Sequence, residues 1–152
     1  MIREADPGEA AALTALALRS KAYWGYSSDF LARCRDLLTI TCDEIRETNT
    51  NVLEVDGRLL GFYMLTGDDT RYSVAWIELL YVEPALIGGG VGVQLWRHAV
   101  ETAQAQGYQY LHVESDPYAV GFYERLGMVQ YATRESVAEP GRMLPLLVLD
   151  LL

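Results

Sequence analysis

Apolar positions along the chain change their period, and each change marks an element. Ile2–Ala5 alternates and predicts a short first strand. Asp6-Pro7-Gly8-Glu9 then reads as a helix start, with Asp6 as N-cap, Pro7 at the first helical position and Glu9 three residues after the cap. The helix should run to about Arg19, with Ala11, Leu13, Leu16, Ala17 and Leu18 on its apolar side. An aromatic turn comes next, Lys21-Ala22-Tyr23-Trp24-Gly25-Tyr26. Ser27 or Ser28 caps a second helix through Phe30, Leu31, Cys34, Leu37 and Leu38. Thr41-Cys42-Asp43-Glu44 repeats the capping-box pattern and predicts a short third helical piece.

From Asn49 the period becomes extended. Val52, Leu53 and Val55 precede Asp56-Gly57, and Leu59–Leu65 continues beyond it, which predicts a hairpin. Gly67-Asp68-Asp69 marks a turn, and Tyr72–Val82 is a further strand stopped by Pro84. Val91, Leu95, Ala99 and Ala103 then share one helical face until Gly107. Tyr110–Glu114 is a strand, Ala119–Leu126 a short helix ended by Gly127, and Met128–Arg134 and Leu144–Leu151 are closing strands. No repeat or linker divides the chain, so the pattern predicts one α+β domain over residues 1–152.

Composition narrows the functional classes. At 152 residues, 51% hydrophobic and 22% charged, the chain suits a folded domain better than a disordered one. Its apolar stretches fall short of a bilayer span and its N-terminus lacks a signal peptide's apolar core, which predicts a soluble cytoplasmic protein. Cys34 and Cys42 show no metal or redox spacing and read as reduced thiols. The net charge of −9 argues against nucleic acid and anionic membranes, whose binders need a basic footprint. It suits a cationic small molecule, and it means any phosphate must be held by local groups.

Tyr81–Gly92, Y-V-E-P-A-L-I-G-G-G-V-G, is where such groups concentrate. Gly88, Gly89, Gly90 and Gly92 sit between a predicted strand and a predicted helix. Their unshielded amides, with the positive end of the helix dipole, suit a pyrophosphate. The alternative is a flexible connection with no ligand. No Lys-Ser/Thr follows the glycines, which excludes a nucleotide phosphotransferase loop.

Thirty-one residues beyond Gly92 lies Tyr123, inside D-P-Y-A-V-G-F-Y-E-R-L-G-M from Asp116 to Met128. The two motifs together, L-Y-V-E-P-x3-G-x-G-V-G and D-P-Y-A-V-x-F-Y-E-R-L-G-M, resemble the GNAT superfamily of acetyl-CoA-dependent N-acetyltransferases. The order of elements matches along nearly the whole chain, and Gly141-Arg142-Met143-Leu144-Pro145 before an apolar strand fits it too. The resemblance implies a central mixed, mostly antiparallel sheet of six to seven strands with helices on both faces. It implies acetyl-CoA as cosubstrate, with backbone around Leu80, Tyr81 and Val82 pairing with the pantetheine arm. The amides of Gly88, Gly90, Val91 and Gly92 would hold the pyrophosphate, with Ile87 and Gly89 also among the cofactor-binding residues. Asp116, Ala119, Phe122 and Arg125 would line the cofactor, and Tyr123 would protonate the leaving thiolate. Two positions depart from the family pattern. Ile87 stands where Gln or Arg is usual, leaving only its amide for phosphate. Asp116 stands where Asn is usual, and its charge would repel the cofactor slightly.

Amide formation from a thioester needs a neutral amine, relief of charge on the carbonyl oxygen and a proton for sulfur. Glu78 is the candidate base or amine-binding carboxylate, since strict alternation would give it a face with Leu80 and Val82. Tyr81 and Glu114 are lesser candidates. His98 reads as a surface residue and His112 as a satisfied core histidine. No His/Asp/Glu set has metal-ligand spacing. Tyr23, Trp24 and Tyr26 with Glu78 would grip a small cationic amine by ring and charge contacts, though a hydrophobic plug explains the aromatics as well. Leu144–Leu152 is apolar enough either to be covered in a homodimer or to be an inner strand. The competing function is an acyl-CoA-binding module without transfer, which Ile87 and Asp116 favour and Tyr123 and Glu78 oppose.

Overall fold

Asp6 accepts from the Gly8 amide at 2.8 Å while Glu9 reaches back to the Asp6 amide at 2.8 Å, so the first helix starts where the capping pattern puts it. In the computed structural model, which describes residues 1–152, a 3-10 turn leads from this cap into α1, Ala10–Ala22. The helix runs past Arg19, and so takes Lys21 and Ala22 out of the expected aromatic turn. Its buried side is Ala10, Leu13, Leu16, Ala17 and Ser20, while Ala11 faces out. Ser27 caps α2, Ser28–Leu38, by accepting from the Phe30 amide at 3.1 Å. Thr41 caps α3, Cys42–Glu47, with Glu44 completing the box.

Seven strands form one sheet. Its members are β1 (Ile2–Glu4), β2 (Asn49–Val55), β3 (Arg58–Gly67), β4 (Val74–Val82), β5 (Tyr110–Glu114), β6 (Val129–Glu135) and β7 (Met143–Asp150). The order is β1-β2-β3-β4-β5-β7-β6, and β4 with β5 is the one parallel pair. The β2–β3 hairpin turns on Asp56 and Gly57, whose φ values of 51° and 77° suit a tight two-residue turn. β7 lies between β5 and β6. Its apolar run is therefore explained by an inner strand and gives no argument for a dimer.

One core lies under α4 (Val91–Ala105) and α5 (Val120–Arg125), and the second under α1, α2 and α3, so helices cover both faces. The fold is the α+β sheet the motifs implied. β4 is shorter than expected, because Asp68 holds the chain before it in a loop. Its carboxylate accepts from the amides of Thr70 and Arg71 at 2.9 and 3.0 Å and from Trp76 Nε1 at 2.8 Å.

A bulge in β4 re-aims one carboxylate. Met64 faces Leu79, but Leu65 faces Ile77, which leaves Glu78 without a partner. Ala75 and Ile77 before the bulge, and Leu80 and Val82 after it, all pack on the α4 side. Glu78 instead accepts from Thr66 Oγ1 at 3.0 Å, and Thr66 lies two residues beyond Met64 on the opposite face. Strict alternation would put Glu78 with Leu80 and Val82. The extra residue overturns that.

Candidate active site

β4 and β5 pair from Val74 with Tyr110 as far as Ile77 with Val113, and then separate. β4 continues to Val82, so Leu79–Val82 has a free edge toward β5. The Glu83 amide bonds to Leu60 on β3 at 2.9 Å, and alternation back along β4 turns the main-chain groups of Leu80 and Val82 into the gap. A cavity of about 510 Å3 occupies this splay.

At one end of the cavity the chain enters α4. Gly88 and Gly90 have φ of 87° and 93°, the left-handed region that a Cβ would strain. The amides of Gly88, Gly90, Val91, Gly92 and Val93 find no acceptor within the protein. They converge with the dipole of a fifteen-residue helix, which is the chemistry a diphosphate needs. Gly89 differs, because its amide bonds to the Leu86 carbonyl at 3.0 Å. The Ile87 amide likewise bonds to Pro84 at 3.3 Å. Neither amide is free, contrary to the expectation that the Ile87 amide remains for phosphate. Ile87 keeps its side chain on the cavity wall, packed against the α4-side core.

α5 forms the facing wall. A Cβ on Gly92 would stand 3.2 Å from the Phe122 ring, so glycine lets the two walls close together. Ala119, Phe122, Tyr123 and Arg125 all line the cavity. Arg125 is exposed, lies against Gly121 and has no carboxylate partner. Tyr123 is buried among Trp96 and Phe122, yet its hydroxyl bonds to nothing in the protein and opens to the cavity. Burial pushes its phenol well above the ordinary value, and the Asp116 charge adds to this. Tyr81 is pushed up in the same direction, by burial first, and lies on the other face beside Phe62.

Asp116 does not stand as a lone charge. It accepts from Lys21 Nζ at 2.5 Å and from the Tyr26 hydroxyl at 2.8 Å, with Arg142 at 3.7 Å. Burial alone pushes its carboxyl up, but the Lys21 charge and hydrogen bond, with the Tyr118 amide and Tyr26, outweigh burial and hold it below the ordinary value. The slight repulsion of a phosphorylated ligand expected from Asp116 is therefore answered locally. Tyr26 is tied into this cluster and does not line the cavity. Tyr23 is half-exposed and does not line it either. Of the three aromatics only Trp24 reaches the wall, stacked on Tyr118 with centroids 5.4 Å apart and planes at 1°.

Glu78 and Glu114 stand at the point of the splay and line the cavity, with Glu114 also paired to Arg134 at 3.1 Å. His112 is buried and bonds to the Tyr131 hydroxyl at 2.8 Å, a satisfied histidine outside the cavity. His98 is half-buried and engaged, not a free surface residue. Its Nδ1 lies 2.8 Å from the Tyr63 hydroxyl, in a network that also holds Asn51 and Thr102. Cys34 is buried and Cys42 exposed, both as free thiols. No cluster of three His, Cys, Asp or Glu side chains has the geometry to hold a metal, and no helix is long and apolar enough to cross a membrane.

Ser20, Lys21, Tyr118 and Arg142 also stand at the site, and although Tyr118 and Arg142 lie in runs the resemblance covers, nothing local in the sequence gives any of the four a role. Lys21 and Asp116 are 95 residues apart along the chain, and Arg142 and Tyr26 are 116 apart. No local pattern marks such meetings.

The family model for the acetyltransferase (GNAT) family matches residues 16–128. Solved structures share the architecture. A GCN5-related N-acetyltransferase from Rhodopseudomonas palustris superposes with a TM-score of 0.80 over 99% of this chain and 94% of that one, at 23% identity. The PaiA N-acetyltransferase from Thermoplasma acidophilum, in complex with coenzyme A, gives 0.83 over 99% and 98%, at 17% identity. YncA from Salmonella typhimurium, solved with its cofactor acetyl-CoA, gives 0.72 over 99% and 93%, at 20% identity. At these identities the likeness is one of fold. No curated protein matches the sequence significantly.

Proposed function

Because the chain belongs to the GNAT acetyltransferase family and is an acyltransferase, we propose that it moves an acetyl group from acetyl-CoA to a primary amine of a small molecule. The observation that carries this reading is the free Leu79–Val82 edge running beside unpartnered amides at the start of α4. An extended pantetheine arm adds to such an edge as a further strand would, with Leu80 and Val82 supplying donors and acceptors. The diphosphate then meets Gly88, Gly90, Val91 and Gly92, with Arg125 as the nearby cation. Two of the solved neighbours hold coenzyme A or acetyl-CoA, which agrees with this assignment.

The chemistry depends on the groups at the point of the splay. The amine nitrogen forms a C–N bond to the acetyl carbon, the C–S bond breaks, and a proton leaves nitrogen while one arrives on sulfur. Glu78, one residue from the last β4–β5 pair, takes the amine proton directly or through water. The Leu80 amide faces the gap and offers charge relief to the carbonyl oxygen. Tyr123 stays protonated at neutral pH, because burial raises its pKa, and donates to sulfur as the bond breaks. In this reading the amine attacks directly in a ternary complex, with no protein nucleophile required.

The competing binding-module reading leans on Ile87 and Asp116. Lys21 and Arg142 offset the Asp116 charge, which removes half of that support. Thiol release from acetyl-CoA across a panel of primary amines is the test. Release that depends on an amine supports transfer. Saturable acetyl-CoA binding with no release on any amine overturns it.

A further inference from the structure

Lys21, in the last turn of α1, lies on the cavity wall with its ammonium only partly engaged. The side chain is 11% exposed, and its one hydrogen bond within the protein goes to Asp116. An ammonium carries three donors, so two have no hydrogen-bond acceptor within the protein, although the rings of Tyr26 and Phe30 lie 5.2 and 5.9 Å away. Ser20, its neighbour on the same wall, is buried, and its hydroxyl bonds to nothing in the protein.

Behind Lys21 stands a second cation. Arg142 donates to the Tyr26 hydroxyl at 2.6 Å, lies over the rings of Phe30 and Tyr26 at 4.8 and 5.1 Å, and is 3.7 Å from Asp116. Lys21 and Arg142 have no ion-pair partner but Asp116. Two cations thus share one carboxylate where the side chains of Lys21, Arg142 and Asp116 are 11%, 17% and 14% exposed. In a chain of net charge −9 this local positive excess is unusual, and poorly solvated charge favours a counter-ion. Across the splay the cavity wall carries Glu78 and Glu114. One end of the acceptor region therefore favours an anion and the other an amine.

We propose that the acceptor amine also carries a carboxylate, as an amino acid does, and that Lys21 and Ser20 bind that carboxylate while Arg142 balances Asp116 from behind. This rests on the acetyl-transfer reading above for the word acceptor, but the subsite itself is read by binding. Protein saturated with CoA is titrated with the N-acetyl derivatives of the amino acids and of the matching decarboxylated amines, following tryptophan fluorescence, because Trp24 lies on the same wall. At least one N-acetyl amino acid should bind about tenfold or more tightly than its decarboxylated partner, the scale of a hydrogen bond to a charged group. Lys21→Met should erase the preference and Lys21→Arg should retain it. If Lys21→Met does not fold, Arg142→Gln is measured in its place and should cut the preference several-fold. Equal binding of the two partners, no saturable N-acetyl amino acid, or an undiminished preference in the neutral variants overturns the proposal. So does a Lys21→Met loss confined to acetyl-CoA affinity, which would assign Lys21 to the cofactor. Absence of thiol release on every amine, with the binding preference intact, would instead sink the transfer reading and leave the anion subsite standing.

Discussion

Glu78 accepts a hydrogen bond from Thr66 at 3.0 Å across the β3–β4 pair, and the bond exists because Glu78 is the bulged residue of its strand. The bulge turns a carboxylate toward the point where β4 and β5 part, a use to which bulges near active sites are often put. Were Glu78 in regular register it would sit with Leu80 and Val82 on the α4 side, away from Thr66.

If Glu78 takes the amine proton, Glu78→Gln should lower kcat about 100-fold while leaving acetyl-CoA affinity nearly unchanged, since Gln keeps the bond to Thr66 but cannot accept a proton. Steady-state kinetics with calorimetry of acetyl-CoA binding checks this. A variant with full turnover would remove Glu78 from proton transfer.

Tyr123 calls for a different expectation. Burial raises its pKa, which keeps the donor proton in place but makes the phenol a weaker acid than in water. Its contribution should fall at the lower end of general acid catalysis, so Tyr123→Phe should cost about 100-fold in kcat and little in acetyl-CoA affinity. The signature is a split between kcat and affinity. Equal losses in both would make Tyr123 a packing residue against Trp96 and Phe122.

The uneven legibility of this site has a physical cause. Gly88–Gly92 and the caps at Asp6, Ser27 and Thr41 act through groups two or three residues away, so a single sequence carries them in full. α4 announces itself through Val91, Leu95, Ala99 and Ala103, all of them buried. The bulge at Glu78 is a different matter, because it depends on how β3 pairs with β4, and W-I-E-L-L has no glycine to flag it. Asp116 is opaque for a similar reason. Its sign is plain in the sequence, but its energetics depend on Lys21, Tyr26 and Arg142, which only the packed α1–α2 connection and the β6–β7 loop bring together. His98 falls on the outward side of the helix pattern, and it is the Tyr63 hydroxyl, from a strand, that draws it in.

The glycine loop should respond to a single methyl group. Gly90 holds a left-handed φ of 93°, which costs an L-residue roughly 1–2 kcal/mol, and a relaxed backbone would turn the neighbouring amides away from the ligand. Gly90→Ala is expected to weaken acetyl-CoA binding by about tenfold in calorimetry. Unaltered affinity would mean these amides do not hold the diphosphate.

Ile87 offers a gain in place of a loss. Its amide is committed to Pro84, and its side chain lies on the cavity wall. In Ile87→Arg the aliphatic stem keeps much of the packing and the guanidinium reaches the rim. Acetyl-CoA should bind about three- to tenfold more tightly at low salt, and the gain should shrink as salt screens it. Unchanged or weaker binding at low salt would show that residue 87 does not face the phosphates.

His112 sets a pH dependence of stability outside the site. Burial pushes its pKa below the ordinary 6.5, with the Arg71 charge adding and the Asp68 charge opposing. Its ring faces Trp76 at a centroid distance of 5.0 Å and bonds to the Tyr131 hydroxyl. Between the lowered folded-state value and 6.5 the unfolded chain holds more protons than the folded one, so stability rises with pH across that window. The contribution is complete above 6.5 and is lost as pH falls toward the folded-state value. Denaturant unfolding at about pH 7.5 and about pH 5.5 should therefore show a larger drop for the wild type than for His112→Gln, which cannot titrate. Carboxylates that begin to protonate over this range do so in both proteins and cancel in the difference. Parallel losses in the two would mean that His112 is as free to charge in the folded sheet as in the unfolded chain, and that the Tyr131 contact accommodates an imidazolium.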